Sequence, residues 1–128
     1  NGPYGDLTGM ISSAEDLVRL GVALNHGQLL KPNTLALMYK PQLSPVIAYQ
    51  EHGPAKKLEF EQALIWKIRK DAGGRRLAYH TGSVKGFNSA LVNYPDLDFV
   101  IADMANGDSI GSDELIAVAQ FFLDTKPQ

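Results

Sequence analysis

The stretch from Arg75 to Met104, RRLAYHTGSVKGFNSALVNYPDLDFVIADM, decides the fold. Its apolar residues fall in short runs separated by glycine, proline and aspartate, the punctuation of strands and turns. Arg75 to His80 reads as one strand and Phe87 to Tyr94 as the next. Pro95-Asp96-Leu97-Asp98 is a turn, and Phe99 to Met104 is a further strand. Phe99-Val100-Ile101-Ala102 is apolar at every position, the sign of a strand covered on both faces. Upstream, Phe60 to Lys70 alternates after Ala63, which puts Leu64, Trp66 and Ile68 on one face. Asp71-Ala72-Gly73-Gly74 makes the hairpin connection, because glycine accepts the positive φ such turns demand.

Helices flank this meander. Ser12 and Glu15 have capping-box spacing before a helix over about Ala14 to Asn25, in which Leu17, Leu20, Gly21 and Leu24 recur at helical spacing and Gly27 is the stop. A shorter helix has Pro32 in its first turn, Leu35 and Met38 pointing inward, and Pro41 at its end. From Pro41 to about Glu59 no periodicity survives Pro45, Gly53 and Pro54, and the segment reads as a long surface connection. Ser112 caps a last helix with Leu115, Val118, Ala119 and Phe122 as its apolar stripe, and Asp113 and Glu114 suit its first turn. The expected fold is therefore α+β, an antiparallel sheet of about four strands with a C-terminal helix and two N-terminal helices. Residues 1–128 form one domain, with a helical part over 1–43 and the sheet with its last helix over 59–128.

Composition narrows the function. The 128 residues carry a net charge of −2 with interspersed signs, and 45% are hydrophobic, enough for a core. No cysteine is present, which removes thiol catalysis and cysteine-ligated metals. The basic clusters, Lys56-Lys57 and Lys67 to Arg76, are too sparse for a nucleic-acid stripe. No apolar run approaches the roughly 20 residues of a membrane span. His26, His52 and His80 are scattered without metal-ligand spacing, and no cofactor cradle is evident, so neither a metal nor a cofactor is expected. The opening Asn1-Gly2-Pro3-Tyr4-Gly5 reads as loop, and its lack of methionine leads to the expectation of a longer parent polypeptide.

Nucleophilic chemistry is incomplete. No serine is followed three residues later by lysine, and there is no Gly-x-Ser-x-Gly elbow. What remains is His80-Thr81-Gly82-Ser83 at a strand end, followed by Gly86-Phe87-Asn88. On one reading Gly82 allows close backbone approach and the Ser83 amide donates to an oxyanion. On the other, His80 and Thr81 merely end a strand at the surface and Gly86 makes a turn; the tripeptide alone favours this simpler account. Trp66, Phe121 and Phe122 are read as packing, Asp103 as a strand residue with a neighbouring partner or a strand-end position, Asn106-Gly107-Asp108 as a turn, and Lys67, Arg69 and Lys70 as one solvated face.

The order of these elements resembles the C-terminal portion of the serine β-lactamase and penicillin-binding-protein-like family, particularly its class C β-lactamase and esterase branch. The likeness is carried by Met10 to Leu17 (MISSAEDL), Leu29 to Gln42, His80-Thr81-Gly82, Gly86-Phe87-Asn88-Ser89, Asn93-Tyr94-Pro95-Asp96 and Ala105-Asn106-Gly107-Asp108 in fixed order. It implies a parent serine hydrolase that cleaves a small-molecule ester, amide or peptide through an acyl-enzyme. The family's Ser-x-x-Lys and Tyr-x-Asn signatures are absent here and are expected upstream of Asn1. His80 and Thr81 would then face substrate, and the Ser83 amide would be half of an oxyanion hole. Histidine where many members have lysine favours esterase or peptidase-like relatives over a dedicated β-lactamase, since neutral imidazole holds a carboxylate less firmly. An exported or cell-envelope location is implied as well. The alternative is a stand-alone, non-catalytic ligand-binding or assembly module. A severed half-fold would expose an apolar face and self-associate.

Overall fold

A computed structural model describes residues 11–49, 57–107 and 111–125. The Asn1–Gly5 opening, Met10, His52, Gly53, Pro54 and Asp108 lie outside them. Helices α1 (Ala14–Asn25) and α2 (Pro32–Met38) precede six strands, β1 (Leu43–Tyr49), β2 (Lys57–Gln62), β3 (Lys67–Lys70), β4 (Arg76–Val84), β5 (Phe87–Tyr94) and β6 (Phe99–Ala105), and helix α3 (Ser112–Thr125) closes the order. The strands form one antiparallel sheet in sequence order. The α+β class holds, with two more strands than the pattern suggested.

Both extra strands arise where periodicity failed. The supposed connection after Pro41 contains β1, which pairs with β2 across a register shift between Leu43 and Val46. Proline lacks an N–H and is tolerated at such an irregular edge, so Pro45 interrupts the strand pattern without preventing the strand. The run from Phe60 to Lys70 is broken as well. The Ala63 amide donates to the Trp66 carbonyl at 2.8 Å, and the Gln62 side chain donates to the carbonyls of Ala63 and Trp66. Residues 63–66 therefore form a turn, leaving Leu64 58% exposed while Trp66 and Ile68 are buried.

The helices dock on opposite faces. Leu24, Met38 and Tyr39 meet Trp66, Ile68, Ala78 and Leu91 on one face, and Trp66 stacks on Tyr39 at 5.9 Å. Leu115, Ile116 and Ala119 meet Leu77, Tyr79, Ala90, Val92 and Tyr94 on the other. α1 lies over β6 because Gly21 lets it: a Cβ there would come within 2.6 Å of Val100. Its N-cap is Ser13, not Ser12, with the Ser13 hydroxyl accepting from the Asp16 amide at 3.1 Å. α3 is helical already at Ser112, and the Gly111 amide donates to the Glu114 carboxylate.

The apolar stripe of α3 is rotated from the expected one. Leu115 and Ala119 are buried as read, but Ile116 joins them while Val118 (46%) and Phe122 (52%) are exposed. Two ion pairs fix this roll. Arg69 pairs with Asp113, and Arg75 donates to Asp124 at 2.7 Å, so one line of the helix is tied to the β3–β4 side. Phe121 and Phe122 pack edge-to-face on each other at 5.9 Å and not into this core.

Two polar clusters hold the layers together. Asn93, fully buried in β5, donates to Asn25 at 2.8 Å and to the Tyr39 hydroxyl at 2.9 Å; Asn25 donates back at 3.0 Å. Asp98, in a left-handed backbone conformation (φ 46°), sits 2.8 Å from His26 at the end of α1. At the β3–β4 turn Asp71 is enclosed and accepts from the Arg75 amide at 2.9 Å and guanidinium at 2.7 Å. Burial alone pushes the Asp71 carboxyl up, but the hydrogen bonds and charge of Arg75 outweigh it and leave it below the usual carboxylate range. The adjoining Tyr94 hydroxyl is pushed up to about 12, chiefly by burial and then by the charge of Asp71.

Asn93→Ala removes the partner of the buried Tyr39 hydroxyl and of the half-buried Asn25 side chain and is expected to lower unfolding free energy by about 2 kcal/mol in urea titrations. Because the folded-state pKa of Asp71 is depressed, its contribution is present above the unfolded value of about 4 and lost as pH falls through the folded value. Asp71→Asn is therefore less stable than the parent at pH 7, and the gap closes towards acid pH. Thermal melts across that range measure the difference.

Candidate functional site

β4 outlasts its neighbour on one side. β3 ends with Lys67 opposite Tyr79, whereas β4 continues to Val84, paired only with β5 as far as Val84 opposite Phe87. The expected strand end at His80 lies inside the strand. The Lys85-Gly86 turn, with Gly86 at φ 84°, returns the chain directly into β5.

Backbone polar groups point to alternate sides along a strand. The Asp71 amide donates to the Arg75 carbonyl at 3.0 Å across the β3–β4 turn, so the odd-numbered residues of β4 turn their polar groups towards β3. Beyond Tyr79 no described strand meets them. The N–H and C=O of Thr81 and Ser83 therefore face an open edge, while those of His80 and Gly82 are spent on β5.

Side chains alternate the other way, between faces. His80 and Gly82 share the α1 face with Ala78, and Thr81 and Ser83 share the α3 face with Tyr79. His80 and Ser83 are exposed, and Thr81 is half-buried. Gly82 is tied to its cross-strand partner: a Cβ there would fall 2.7 Å from the Ser89 hydroxyl. Gly86 and Phe87 are exposed at the hairpin tip, and Asn88 is half-buried opposite Ser83. The structure thus gathers His80 to Ser83 by backbone along one edge but sends His80 and Thr81 to different faces.

Lys67 and Arg69 are not the freely solvated pair expected. The Lys67 ammonium lies 5.1 Å from the Phe60 ring centre and 5.8 Å from that of Tyr79, and Arg69 lies 5.1 Å over Tyr79. They roof the aromatic pair beside Thr81. An isolated strand pattern gives no hint of this, because the rings come from β2 and β4. Asp103 sits half-buried in β6 opposite Ala90.

Two concavities, of about 390 and 560 Å³, lie elsewhere. The first is lined by Asn25, Tyr39 and Asp96 among others, and the second by Ser44, Phe60 and Glu61. The His80–Ser83 edge is an open shelf whose opposing wall is not among the described residues.

A family model described as Beta-lactamase matches residues 1–122. The chain belongs to the β-lactamase family. No curated protein matches it. In this β-lactamase-family chain no serine precedes a lysine at the Ser-x-x-Lys spacing, and no tyrosine is followed by asparagine two residues later. The match covers the helices α1 and α2, the whole sheet and most of α3.

Proposed function

We propose that this chain supplies the substrate-binding and oxyanion wall of a serine acyl-hydrolase, whose nucleophile and base come from residues outside these 128. The observation that carries the reading is the bare edge of β4, where the Thr81 and Ser83 amides point outward beside His80 and Gly82. In the proposed reaction a serine hydroxyl gives its proton to an assisting base as its oxygen attacks the acyl carbonyl of an ester, amide or peptide. The carbonyl electron pair moves onto oxygen, and the Ser83 N–H donates to that oxyanion. Expulsion of the alcohol or amine, which takes a proton from the assisting base, leaves an acyl-enzyme that water hydrolyses. The Thr81 carbonyl and amide would align an extended substrate along the strand.

β5 pairing supports the donor role, because it fixes the Ser83 backbone before substrate arrives, and a preorganised dipole needs no rearrangement when charge develops. His80 on the α1 face favours esters or peptides over a substrate that depends on a firmly held carboxylate.

The purified chain is expected to keep its intact mass when incubated with an activated ester or a β-lactam, with hydrolysis at background. Combined with a segment carrying Ser-x-x-Lys, it is expected to turn over. There, Ser83→Pro removes an edge-facing N–H without touching β4–β5 bonds, and kcat should drop roughly 100- to 1,000-fold. Stoichiometric acylation of the chain by itself, or full turnover by the proline variant, would overturn the assignment.

A further inference from the structure

An asparagine side chain carries a carboxamide carbon that the next backbone nitrogen can attack, and the fold shields most asparagines of this chain from that reaction. Asn93 is fully buried and donates to Asn25 and Tyr39, and Asn25 is tied back to it. Asn33 lies in α2, where helical backbone angles hold the following nitrogen away from the side chain. Asn88 lies in β5 between two strands, paired with Ser83 and with Ala105.

Asn106 has none of these restraints. The β5–β6 ladder ends with Ala105 opposite Asn88, so Asn106 and Gly107 fall one step past the last pair, in a bend. Asn106 is exposed. Among the described residues, neither its carboxamide nor the Gly107 amide makes a hydrogen bond. This freedom is set by where the ladder stops. Gly107 supplies the second requirement: without a Cβ its backbone reaches conformations closed to other residues, and its nitrogen can approach Asn106 Cγ.

We propose that Asn106 is a site of self-modification, converting to aspartate and isoaspartate through a cyclic imide. The Gly107 nitrogen gives its proton to solvent base and bonds to Asn106 Cγ. The carboxamide C–N bond breaks, and its nitrogen leaves as ammonia with a proton from water. Water then adds to one of the two imide carbonyls and reopens the ring. Cleavage at Cγ leaves aspartate, and cleavage at the backbone carbonyl leaves isoaspartate, with the main chain rerouted through the side-chain carbon. Water is the only co-reactant, and nothing is oxidised or reduced. One carboxamide becomes one carboxylate, which adds a negative charge to the net −2 in the link between β6 and α3. The inference rests on this chain's backbone and is independent of the proposed reaction.

The test is incubation of the 128-residue chain at neutral to mildly alkaline pH, followed by peptide mapping, with the free peptide Asp103 to Ser109 setting the time scale. The fragment holding Asn106 should gain about 1 Da, or about 3 Da in water labelled with oxygen-18, and should split into aspartate and isoaspartate forms. Conversion should quicken about tenfold per pH unit, because the attacking nitrogen must first lose its proton. Gly107→Ala should slow it about tenfold or more. Fragments holding Asn25, Asn33, Asn88 and Asn93 should keep their mass over the same period. The Asn1-Gly2 pair falls in a separate fragment and is scored apart. An Asn106 fragment of unchanged mass after the free peptide has converted overturns the proposal. So does conversion of Asn88 at the same rate, because the fold then shields nothing. Conversion that Gly107→Ala leaves undiminished overturns it too, since another nucleophile is then at work.

Discussion

Asn93 sits near the end of β5 with no access to water, and the polar atoms of its amide must be met from elsewhere. α1 and α2 meet them, through Asn25 and the Tyr39 hydroxyl. That requirement is directional in a way that apolar contact is not. Leu17, Leu30 and Leu35 would tolerate a slide of the helices over the sheet, whereas an unmet buried amide costs about 1–3 kcal/mol per lost partner. The Asn25–Asn93 pair therefore sets the register of the helical layer. Tyr39 extends it: its ring stacks on Trp66 and its carbonyl accepts from Arg76 at 2.8 Å, joining the end of α2 to the start of β4. Burial pushes the Tyr39 hydroxyl up, partly opposed by the Asn93 bond and the Arg76 charge.

Much of this architecture was legible because it is local. β5, the Asp71–Gly74 turn and the α1 boundaries follow from alternation, glycine placement and helical spacing within a dozen residues. β1 was hidden because its pairing partner, not its own pattern, makes it a strand: Leu43 and Ile47 are exposed, so the strand shows no buried face. The roll of α3 was hidden for a related reason. Val118 and Phe122 match the helical period as well as Ile116 does, and the choice between them is made by Arg69 and Arg75, two strands away. At the candidate site the tripeptide His80-Thr81-Gly82 was readable, but not that it lies on an edge. Only the early end of β3 at Lys67 creates that edge.

The sheet thus has three kinds of border, and their chemistry differs as their roles should. β1 is blunted by proline and a register shift, as a border kept from pairing must be. β4 beyond Tyr79 is polar and short, with Thr81 and Ser83 beside two glycines, and suits a small extended ligand that leaves again. β6 is apolar along most of its length, and among the described residues no strand pairs with its outer side.

Separation of the last two borders has a mechanical consequence. β5 lies between them and pairs with both β4 and β6 from Asn88 to Asn93, so pairing with β6 stiffens β5 and, through it, the backbone of Gly82 and Ser83. An oxyanion donor works by being held in place before charge appears, and its contribution falls when its strand frays. Past Tyr79, β4 is held among the described residues on one side only, by β5, so this stretch of β4 is more exposed to fraying than the stretch flanked by both β3 and β5. β6 therefore acts on the proposed site without touching it, by lowering the population of states in which β4 peels from β5.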